Sequence, residues 1–556
     1  SIRQDLSALT KGLAAEASVS FDNIGGMNET TNKEYRYMNS NASITSDGTL
    51  VTTPAIYGTD SETLGHTQPF ERLMLRSDFQ AKVDYNRTFG KHQVGGALIY
   101  DMQSVVKNGR NNSQKNQSVL VNATYTYDNR YSLNAVFNRS GSAYLPDGDK
   151  YSNYPAVSAA WIVSNEAFME KVTPINLFKI RASYGLSGWD GNLSHELWRQ
   201  SYGSGGAGYN FGVNAGGQSG GSEGDLPVIG LVAEKSQKAT FGFDLAAFDN
   251  RLNATVEGFY EKRSDILVSG ANSTSGIIGI TVGQVNEGIY KYKGVDASLS
   301  WNDKIGDFHY GIGASMSYLN TEVVNVNQAY QEYDYLYTKG NRIGQMYGLE
   351  AIGFFNSQQE INNSPQQTFS DVAPGDVKYK DQNGDNRIDE KDIVKMFGSS
   401  VPRFYFGFNL NFSYKRLELS ADFQGMTGVT VSLLNSPLYS PLVSNGNISN
   451  TFLNEEISWT PENKTNATMP RLTTQENLNN YRASSLWYRD GSFLKLRNLL
   501  VAYTFPKSQT RFADLKVFVQ GTNLFSLDNI HFADPEQLGI AYPSTRSYWA
   551  GIKLNF

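Results

Sequence analysis

The feature that most constrains this chain is a two-residue alternation of apolar and polar side chains, repeated along the sequence. From Leu73 to Tyr85 the odd positions are mainly apolar, whereas the even positions include Arg, Asp, Gln and Lys. Successive side chains of a β-strand point to opposite faces, so this pattern predicts strands with one apolar and one polar face. Several runs reach about ten residues, the length with which a tilted strand crosses a bilayer, whereas sandwich strands typically have about five or six.

The clearest predicted hairpin runs from Phe404 to Phe423, with its turn near Lys415. Apolar residues occupy the even positions before Lys415 and the odd positions after it. We expect this apolar face to contact lipid, as in outer-membrane barrels. The opposite face carries residues that we expect to face the lumen: Asn409, Asn411, Glu418 and Asp422.

The connections between the alternating segments are of two kinds, short and long. Short turns are predicted near Gly90, Asn129, Asn250 and Lys415, and long polar stretches cover 22–68, 188–236 and 429–489. In outer-membrane barrels short turns face the periplasm and long loops face outside. The alternating segments predict about sixteen to eighteen strands, and the apolar alternation ending at Phe556 predicts a terminal strand that closes a barrel.

Composition excludes several other classes of protein. Charged residues make up only 18%, no run of about 18 apolar residues occurs, and a helical membrane protein is therefore excluded. The net charge of -6 and the absence of basic runs argue against a nucleic-acid partner. The absence of cysteine excludes disulfides and a cysteine nucleophile. No secretion signal follows Ser1, so we expect a processed or partial chain.

Several segments, in order from about Leu73 onward, closely resemble the C-terminal part of the SusC/RagA family. Near the C-terminus these include SFLKLRNLLVAYTFP, VFVQGTNLFSLD, ADPE and YPSTRSYWAGIKLNF. Earlier in the chain they are AWIVSNEAFM, LFKIRASYGLSGWDGN and GDVKYKDQNGDNRIDEKD. Several long segments in a consistent order are more specific than any single short motif.

This resemblance implies an all-β fold, an antiparallel transmembrane β-barrel of the outer-membrane type. Residues 1–556 would form a single barrel portion, most of a barrel of about 22 strands with a plugged lumen. We expect the N-terminal plug, the TonB-contacting segment and the first few strands to be missing from this chain. The resemblance therefore implies a plug-bearing remainder of the same protein and TonB as partners, with outer-membrane lipid around the barrel. It also implies a SusD-like surface lipoprotein that captures oligosaccharides or peptides, in a Gram-negative bacterium of Bacteroidetes type.

The acidic segment within 375–392 has the spacing of an EF-hand loop. Oxygen-bearing residues occupy loop positions one, three, five, seven, nine and twelve: Asp381, Asn383, Asp385, Arg387, Asp389 and Asp392. This spacing predicts a Ca²⁺ site in which Arg387 offers only its backbone carbonyl. Asn386 replaces the usual glycine at position six, and a solvated Asp/Asn turn is the alternative interpretation.

Counting strands back from the C-terminus places this acidic segment outside the cell. Counting forward from Gly90 gives the opposite side unless one more strand crosses between Thr321 and Gly344. We therefore expect an additional strand there.

Loop aromatic residues are candidates for binding sugar, because rings stack on the apolar faces of sugars. The candidates are Trp189, Trp198, Tyr209 and Tyr439, and their alternative role is loop packing or contact with the lipoprotein. Two enzyme-like patterns, 203–208 and 217–221, lack the strand and helix that a dinucleotide fingerprint or a nucleophile elbow requires. The five histidines show no metal-ligand spacing.

The sequence thus predicts TonB-dependent import of a nutrient, an oligosaccharide or else a peptide, by the barrel of a SusC-like transporter. We identify no catalytic residues and expect no enzyme. Two alternatives from other classes are an outer-membrane β-barrel enzyme and a calcium-dependent glycan-binding protein. An enzyme would need a nucleophile and a base brought together, and the sequence offers no such pair.

Overall fold

The computed structural model describes most of the chain. The residues that it does not describe are 28, 45–48, 62, 68–69, 108–112, 211–216, 273–276, 278, 281, 436–456, 474–476, 531–532 and 539–543.

One antiparallel sheet of 17 strands forms the architecture. In chain order its strands are β1 (Ile2–Asp5), β2 (Leu13–Met27), β3 (Phe70–Phe89), β4 (His92–Lys107), β5 (Ser113–Tyr127), β6 (Tyr131–Ser142), β7 (Tyr151–Ile162), β8 (Ile175–Trp189), β9 (Glu234–Ala247), β10 (Leu252–Ser269), β11 (Gln284–Ile305), β12 (Phe308–Asn325), β13 (Phe404–Tyr414), β14 (Leu417–Thr427), β15 (Phe493–Phe505), β16 (Asp514–Asp528) and β17 (Ser547–Asn555). The predicted antiparallel β-architecture is confirmed, and the strand number of the complete barrel stays a prediction.

Each strand of this sheet pairs with the strand that follows it, so the sheet is a continuous meander. All of these pairings are antiparallel. In the described residues β1 pairs only with β2, and β17 pairs only with β16. The sheet thus has two free edges, and closure of the barrel by β17 stays a prediction.

The four turns predicted at Gly90, Asn129, Asn250 and Lys415 lie at one end of the sheet. The predicted turns at Asn129, Asn250 and Lys415 adopt positive φ angles of 53°, 62° and 54°, and Gly90 adopts 60°. Such left-handed residues match the twist of antiparallel strands in tight hairpins. The opposite end carries the long connections 28–69, 190–233, 326–403 and 428–492. The acidic loop lies in 326–403, at the end opposite Phe556, as the backward count predicted.

The expected additional strand between Thr321 and Gly344 is wrong. β12 ends at Asn325, and the chain then forms a loop with a single 3-10 turn at Asp334–Leu336 before Gly344. Between Asn325 and Phe404 no strand joins the main sheet. The forward count therefore failed because it misjudged the number of earlier crossings.

The long connections contain short elements of their own. Their strands are Thr30–Asn32, Tyr37–Ile44, Leu50–Tyr57, Gly65–Thr67, Tyr202–Asn210, Gly217–Glu223, Gln345–Gly348, Ala351–Phe354, Gln366–Gln367, Val377–Tyr379, Arg387–Ile388, Val394–Ser399, Thr430–Ser432 and Tyr488–Asp490. The helix Gln358–Asn362 and the 3-10 turns Glu390–Asp392 and Leu433–Asn435 also lie in the long connections. At the short-turn end, the described residues contain the helix Lys507–Thr510 and the 3-10 turns Val163–Asn165 and Ala167–Met169. Within the described part of the chain, no helix has the length and apolar character to span a membrane.

Apolar side chains form continuous rows across one face of the sheet. One row joins Leu245, Ala254, Leu299, Ala314, Phe408 and Phe423 through register pairs of six strands. The rings of Phe408 and Phe423 stack at 4.3 Å between centroids. Many outward residues stay exposed, among them Leu299 at 52% and Val519 at 56%. An extended, exposed apolar surface of this kind is the lipid-facing belt of a barrel.

The opposite face of the same strands is polar. The row next to that of Leu299 joins Asn253, Ser300, Gly313, Asn409 and Asp422. Asn409 and Asp422 line one cavity of about 590 Å³ together with Asp244, Thr255 and Ser300. The polar face of the hairpin formed by β13 and β14 is therefore continuous with the polar face of the neighbouring strands. This is the face that the alternation predicts to line the lumen.

Aromatic side chains gather beside the short turns. The rings of Tyr131 and Trp161 lie 6.4 Å apart, and those of Tyr503 and Phe505 lie 4.8 Å apart. Outer-membrane barrels carry aromatic girdles where the apolar belt meets the headgroups. These rings thus mark the turn-side boundary of the belt.

The two faces make opposite predictions for a charge introduced at adjacent positions. Leu299→Arg places a cation in the lipid belt and should destabilise the barrel by about 2–4 kcal/mol. Ser300→Arg, one residue on, faces the lumen and should cost much less. Denaturant unfolding of the two variants in lipid vesicles measures the difference. A larger loss of stability for the Ser300 variant would reverse our assignment of the faces.

Candidate functional site

Paired charges line the polar face of β8 to β11. Arg181 donates a hydrogen bond to Glu257, and its Nε lies 3.4 Å from Oδ2 of Asp244. Asp244 also accepts a hydrogen bond from Thr255 at 3.1 Å. The wall of the lumen therefore presents carboxylates and a guanidinium that are held in place by neighbours yet remain partly exposed.

Nearer the long-loop end, the same wall combines charge with aromatic surface. Nε of Arg263 donates to Oε1 of Glu261 at 2.6 Å, and Ser236 donates to the same carboxylate at 2.8 Å. The Arg263 guanidinium lies 4.7 Å from the ring centroid of Tyr292, a cation–π contact. Polar groups beside an aromatic face can hold hydroxyl or amide groups of a ligand.

The connection 326–403 packs against the described residues 428–435, 457–473 and 477–492 as one unit, which we call the loop unit. Its two apolar clusters contain the fully buried side chains Leu349, Val377, Tyr379, Ile388, Leu433 and Trp487. Leu486 packs against both clusters and joins them. The loop unit therefore has its own core above the barrel.

A buried carboxylate connects the two halves of the loop unit. Asp376 is fully buried and accepts hydrogen bonds from Arg471 at 2.7 and 3.1 Å. Asn477 and Asn480 donate to the same carboxylate at 3.0 and 2.8 Å, and the backbone N–H of Ala373 donates at 2.7 Å. A buried charge is tolerated only when it is paired and hydrogen-bonded, as it is in this arrangement.

The acidic loop is ordered by hydrogen bonds to its own backbone. Asp381 accepts from the N–H groups of Gly384 and Asn386 at 2.7 and 2.9 Å. Asp385 accepts from the N–H of Arg387 at 2.8 Å, and Asn386 has a φ of 62°. The predicted turn at position six therefore forms with asparagine in place of glycine.

The second half of the acidic loop forms a capping box. Asp389 accepts from the N–H of Lys391 at 2.8 Å, and Asp392 accepts from the N–H of Asp389 at 2.8 Å. The side chain of Asp392 is fully buried and also accepts from Gln382 at 2.7 Å. Within the described residues no group of three or more His, Asp or Glu side chains is placed to hold an ion. The Ca²⁺ site stays a prediction.

The structure describes the side chains of two of the four candidate sugar-binding aromatic residues. Trp189 ends β8 with 55% of its surface exposed, in register with Glu234. Trp198 packs against the apolar cluster of Leu145 and its neighbours, which is the loop-packing role. The side chain of Tyr209 and the whole of Tyr439 lie outside the described residues. Trp189 therefore remains as the exposed candidate.

The enzyme-like pattern 203–208 lies in a strand of a two-stranded hairpin, Tyr202–Asn210 paired with Gly217–Glu223. A dinucleotide-binding fingerprint requires a helix after the glycines. The pattern therefore does not form such a site.

Sequence reasoning missed a charged clamp at the ADPE segment. Nζ of Lys495 is bonded to Asp534 and lies 2.6 Å from Glu536, and Arg497 reaches both oxygens of Glu536 at 2.7 Å. Only 4% of the Lys495 side chain is exposed. The alternation of charge in LKLRN and the acids of ADPE were visible in sequence, but their pairing joins segments about forty residues apart.

Loss of the Asp376 charge should release the loop unit. Asp376→Ala leaves Arg471, Asn477 and Asn480 without their partner, and breaking a buried ion pair costs about 3–5 kcal/mol. We expect new protease cleavage within 326–403 and 457–490 while the barrel stays intact. Asp371→Ala, at an exposed position of the same loop, is the matched control. Equal resistance of both variants to protease would contradict the role of Asp376.

Acid should open the Lys495 clamp. Burial opposes ionisation of Glu536, but the hydrogen bonds and charges of Lys495 and Arg497 outweigh it and hold the pKa of this carboxyl below its usual range. A carboxyl with a lowered folded pKa stabilises the protein above its unfolded pKa of about 4.3 and loses that contribution as the pH falls through the lower, folded value.

Hydrogen exchange can measure this opening in residues 493–498. Glu536→Gln should lower the protection factors of these amides at pH 7, as acid should in the wild type relative to the intrinsic exchange rate at that pH, and Glu462→Gln in an exposed loop is the control. If the Glu536 variant exchanges as slowly as the control, the clamp does not order this segment.

Comparison with known proteins supports the resemblance seen in the sequence. No family model matches the chain. It is 28% identical over 461 residues to the TonB-dependent receptor P26 of Formosa agariphila, covering 78% of this chain and 45% of that protein. The TonB-dependent receptor P3 of the same organism is 26% identical, covering 85% and 51%. The TonB-dependent receptor SusC of Bacteroides thetaiotaomicron is 22% identical, covering 78% and 43%.

The chain thus spans about half the length of the curated relatives that it matches. These relatives are receptors and not enzymes. Among solved structures, the RagAB peptide transporter superposes with a TM-score of 0.73 at 18% identity, covering 98% of this chain and 60% of that one. At this identity the likeness shows the fold, an outer-membrane β-barrel. Over most of its length, this outer-membrane chain is similar to the barrel-forming part of SusC/RagA-like TonB-dependent receptors.

Proposed function

We propose that this chain forms the wall of an outer-membrane importer that moves a polar nutrient through its lumen. The observation that carries the proposal is the 17-stranded meander, with an apolar belt outside and paired charges inside, in a chain similar to TonB-dependent receptors. A wall of this kind binds and releases solutes as they pass. Energy for transport enters through TonB and the plug-bearing remainder of the protein.

The substrate that we propose is an oligosaccharide, with a peptide as the second candidate. An exposed ring at Trp189, beside the charged wall of β9 to β11, suits the stacking of a sugar face while polar groups take its hydroxyls. The paired charges of Arg181 and Arg263 suit peptide groups equally, and the RagAB structure is described as that of a peptide transporter. Binding of an oligosaccharide should therefore depend on the Trp189 ring, whereas binding of a peptide should depend on the charged residues.

A SusD-like surface lipoprotein is the partner that we propose at the long-loop end. The loop unit supports this because it is a packed structure with its own core, fixed by the Asp376 network. A preorganised surface loses little conformational entropy when a partner docks on it. Copurification of a lipoprotein with the full-length protein from native outer membranes tests the partnership, and its absence from gently solubilised membranes would refute it.

Uptake by cells that lack the native protein tests transport. Cells complemented with the full-length protein should take up labelled oligosaccharide when TonB is present and should fail without TonB. Trp189→Ala should lower uptake of oligosaccharide by on the order of tenfold, the value of one stacking contact of about 1–3 kcal/mol. Phe168→Ala, an equally exposed aromatic at the short-turn end, is the control. Unchanged uptake of sugars and peptides after deletion of the whole protein would refute the function.

We also propose that the acidic loop binds Ca²⁺ through oxygens of Asp381, Asn383 and Asp385 and the carbonyl of Arg387. An ionised carboxylate has about four lone-pair sites, so those that accept backbone N–H groups retain sites for an ion. Calorimetry of chelator-treated protein should show binding that is lost in Asp381→Asn with Asp385→Asn and kept in Asp371→Asn. Identical calcium binding by both variants would exclude the loop.

A further inference from the structure

Three lysines share the outward face of β10 and β11 at the long-loop end of the lipid belt. They are Lys262, Lys291 and Lys293. The register fixes the face on which they lie. Lys293 pairs with Tyr260, which lies on the same outward face as Phe241, and Lys262 lies two residues beyond Tyr260. Glu261 and Arg263, at the alternate positions, point towards the lumen. The lysines therefore lie on the outer surface of the barrel, beside lipid.

The register brings two of these cations together. Lys262 is the direct cross-strand partner of Lys291, and such residues have Cβ atoms about 4.5–5.5 Å apart. Like charges directly opposite each other destabilise a sheet. Lys293 adds a third positive charge two residues along the same face.

Local carboxylates compensate only part of this charge. Nζ of Lys291 lies 3.6 Å from Oε1 of Glu322, and the neighbouring Lys235 is paired with Asp265 at 3.0 Å. Lys262 and Lys293 have no carboxylate within 4.0 Å among the described residues. The patch therefore keeps two uncompensated positive charges that an external anion would neutralise.

An apolar groove lies directly beside the patch. Its volume is about 900 Å³, and Phe241, Tyr260, Val295 and Tyr318 line it together with Lys293 at one end. The floor is open because Gly258 has no side chain there. A Cβ at Gly258 would meet only the backbone oxygens of Phe241 and Gly294, at 3.8 and 4.0 Å. The groove thus has room for a chain of methylene groups.

The patch also lies at the depth where a headgroup sits. Along β11 the outward residues Trp301, Leu299, Ala297 and Val295 are apolar, and Lys293 is the first outward cation after them. Tyr260 and Tyr318, exposed at 45% and 40%, are amphipathic rings of the kind found at membrane interfaces. Phosphates of a lipid whose acyl chain fills the groove would reach the lysines.

We propose that this patch and groove bind one phosphorylated lipid of the outer leaflet. Its headgroup phosphate lies over Lys262, Lys291 and Lys293, since lysine binds phosphate as a point charge. Its acyl chain occupies the groove over Gly258. The positive charge of the lysines and the shape of the groove thus indicate the same ligand.

Native mass spectrometry of the full-length protein released from nanodiscs tests the proposal. Nanodiscs of phosphatidylcholine contain added lipid A, dephosphorylated lipid A, or no lipid A with inorganic phosphate instead. The wild type should retain lipid A and neither of the other two. Lys262→Gln, Lys291→Gln and Lys293→Gln combined should weaken retention by on the order of a hundredfold. The control replaces Lys11, Lys171 and Lys339, exposed lysines outside the patch, by Gln.

Gly258→Leu keeps every lysine and fills the groove, so it should also reduce retention of lipid A while the protein folds normally. The site is refuted if the triple Lys variant retains lipid A like the control, or if dephosphorylated lipid is retained equally. Retention of inorganic phosphate with the same dependence on the lysines would assign the patch to a free anion and overturn the lipid. Unchanged retention in the Gly258 variant would overturn the role of the groove.

Discussion

The constraint on which this structure depends is that lipid offers no hydrogen-bond partner to a backbone N–H or C=O. The chain meets it by pairing each strand of the sheet with the strand that follows it in sequence. Within the described residues, the edges that lack a partner strand are the one formed by β1 and β2 and the outer edge of β17. Closing the barrel requires that both of these edges be paired.

The same alternation that gives the sheet its apolar, lipid-facing side also gives it the polar side that lines the lumen. Because neighbouring strands keep their register, the row of Leu299 stays apolar across six strands while the row of Ser300 stays polar. Charges such as Arg181 and Glu257 are therefore confined to a narrow, partly exposed wall where their partners hold them. Where the alternation of the outer face ends, at Lys293, the surface changes from binding acyl chains to binding headgroups.

Most of the barrel could be predicted from sequence because its determinants are local. The period of two and the left-handed turn at Lys415 act over a few residues, and both were found by pattern alone. The loop unit could not be predicted, because Asp376 meets Arg471 and Asn480 at separations of 95 and 104 residues. The error between Thr321 and Gly344 arose earlier in the chain, where the number of crossings was misjudged. The packing partners of Trp198 likewise come from distant segments that no local pattern identifies.

In the acidic loop, such long-range packing limits which carboxylates of a local motif can bind an ion. Ile388, in the middle of the loop, is fully buried in the core of the loop unit, and Asp392 is buried beside it. These anchors fix the second half of the loop in a capping box that already uses both carboxylates. A calcium ion must therefore either bind through Asp381, Asn383 and Asp385 with Asp392 remaining in place, or break the capping box. The first route yields fewer carboxylate ligands than a full EF-hand, and ligand charge is what sets calcium affinity. The core of the loop unit, and not the loop sequence alone, thus determines how tightly this segment can hold an ion.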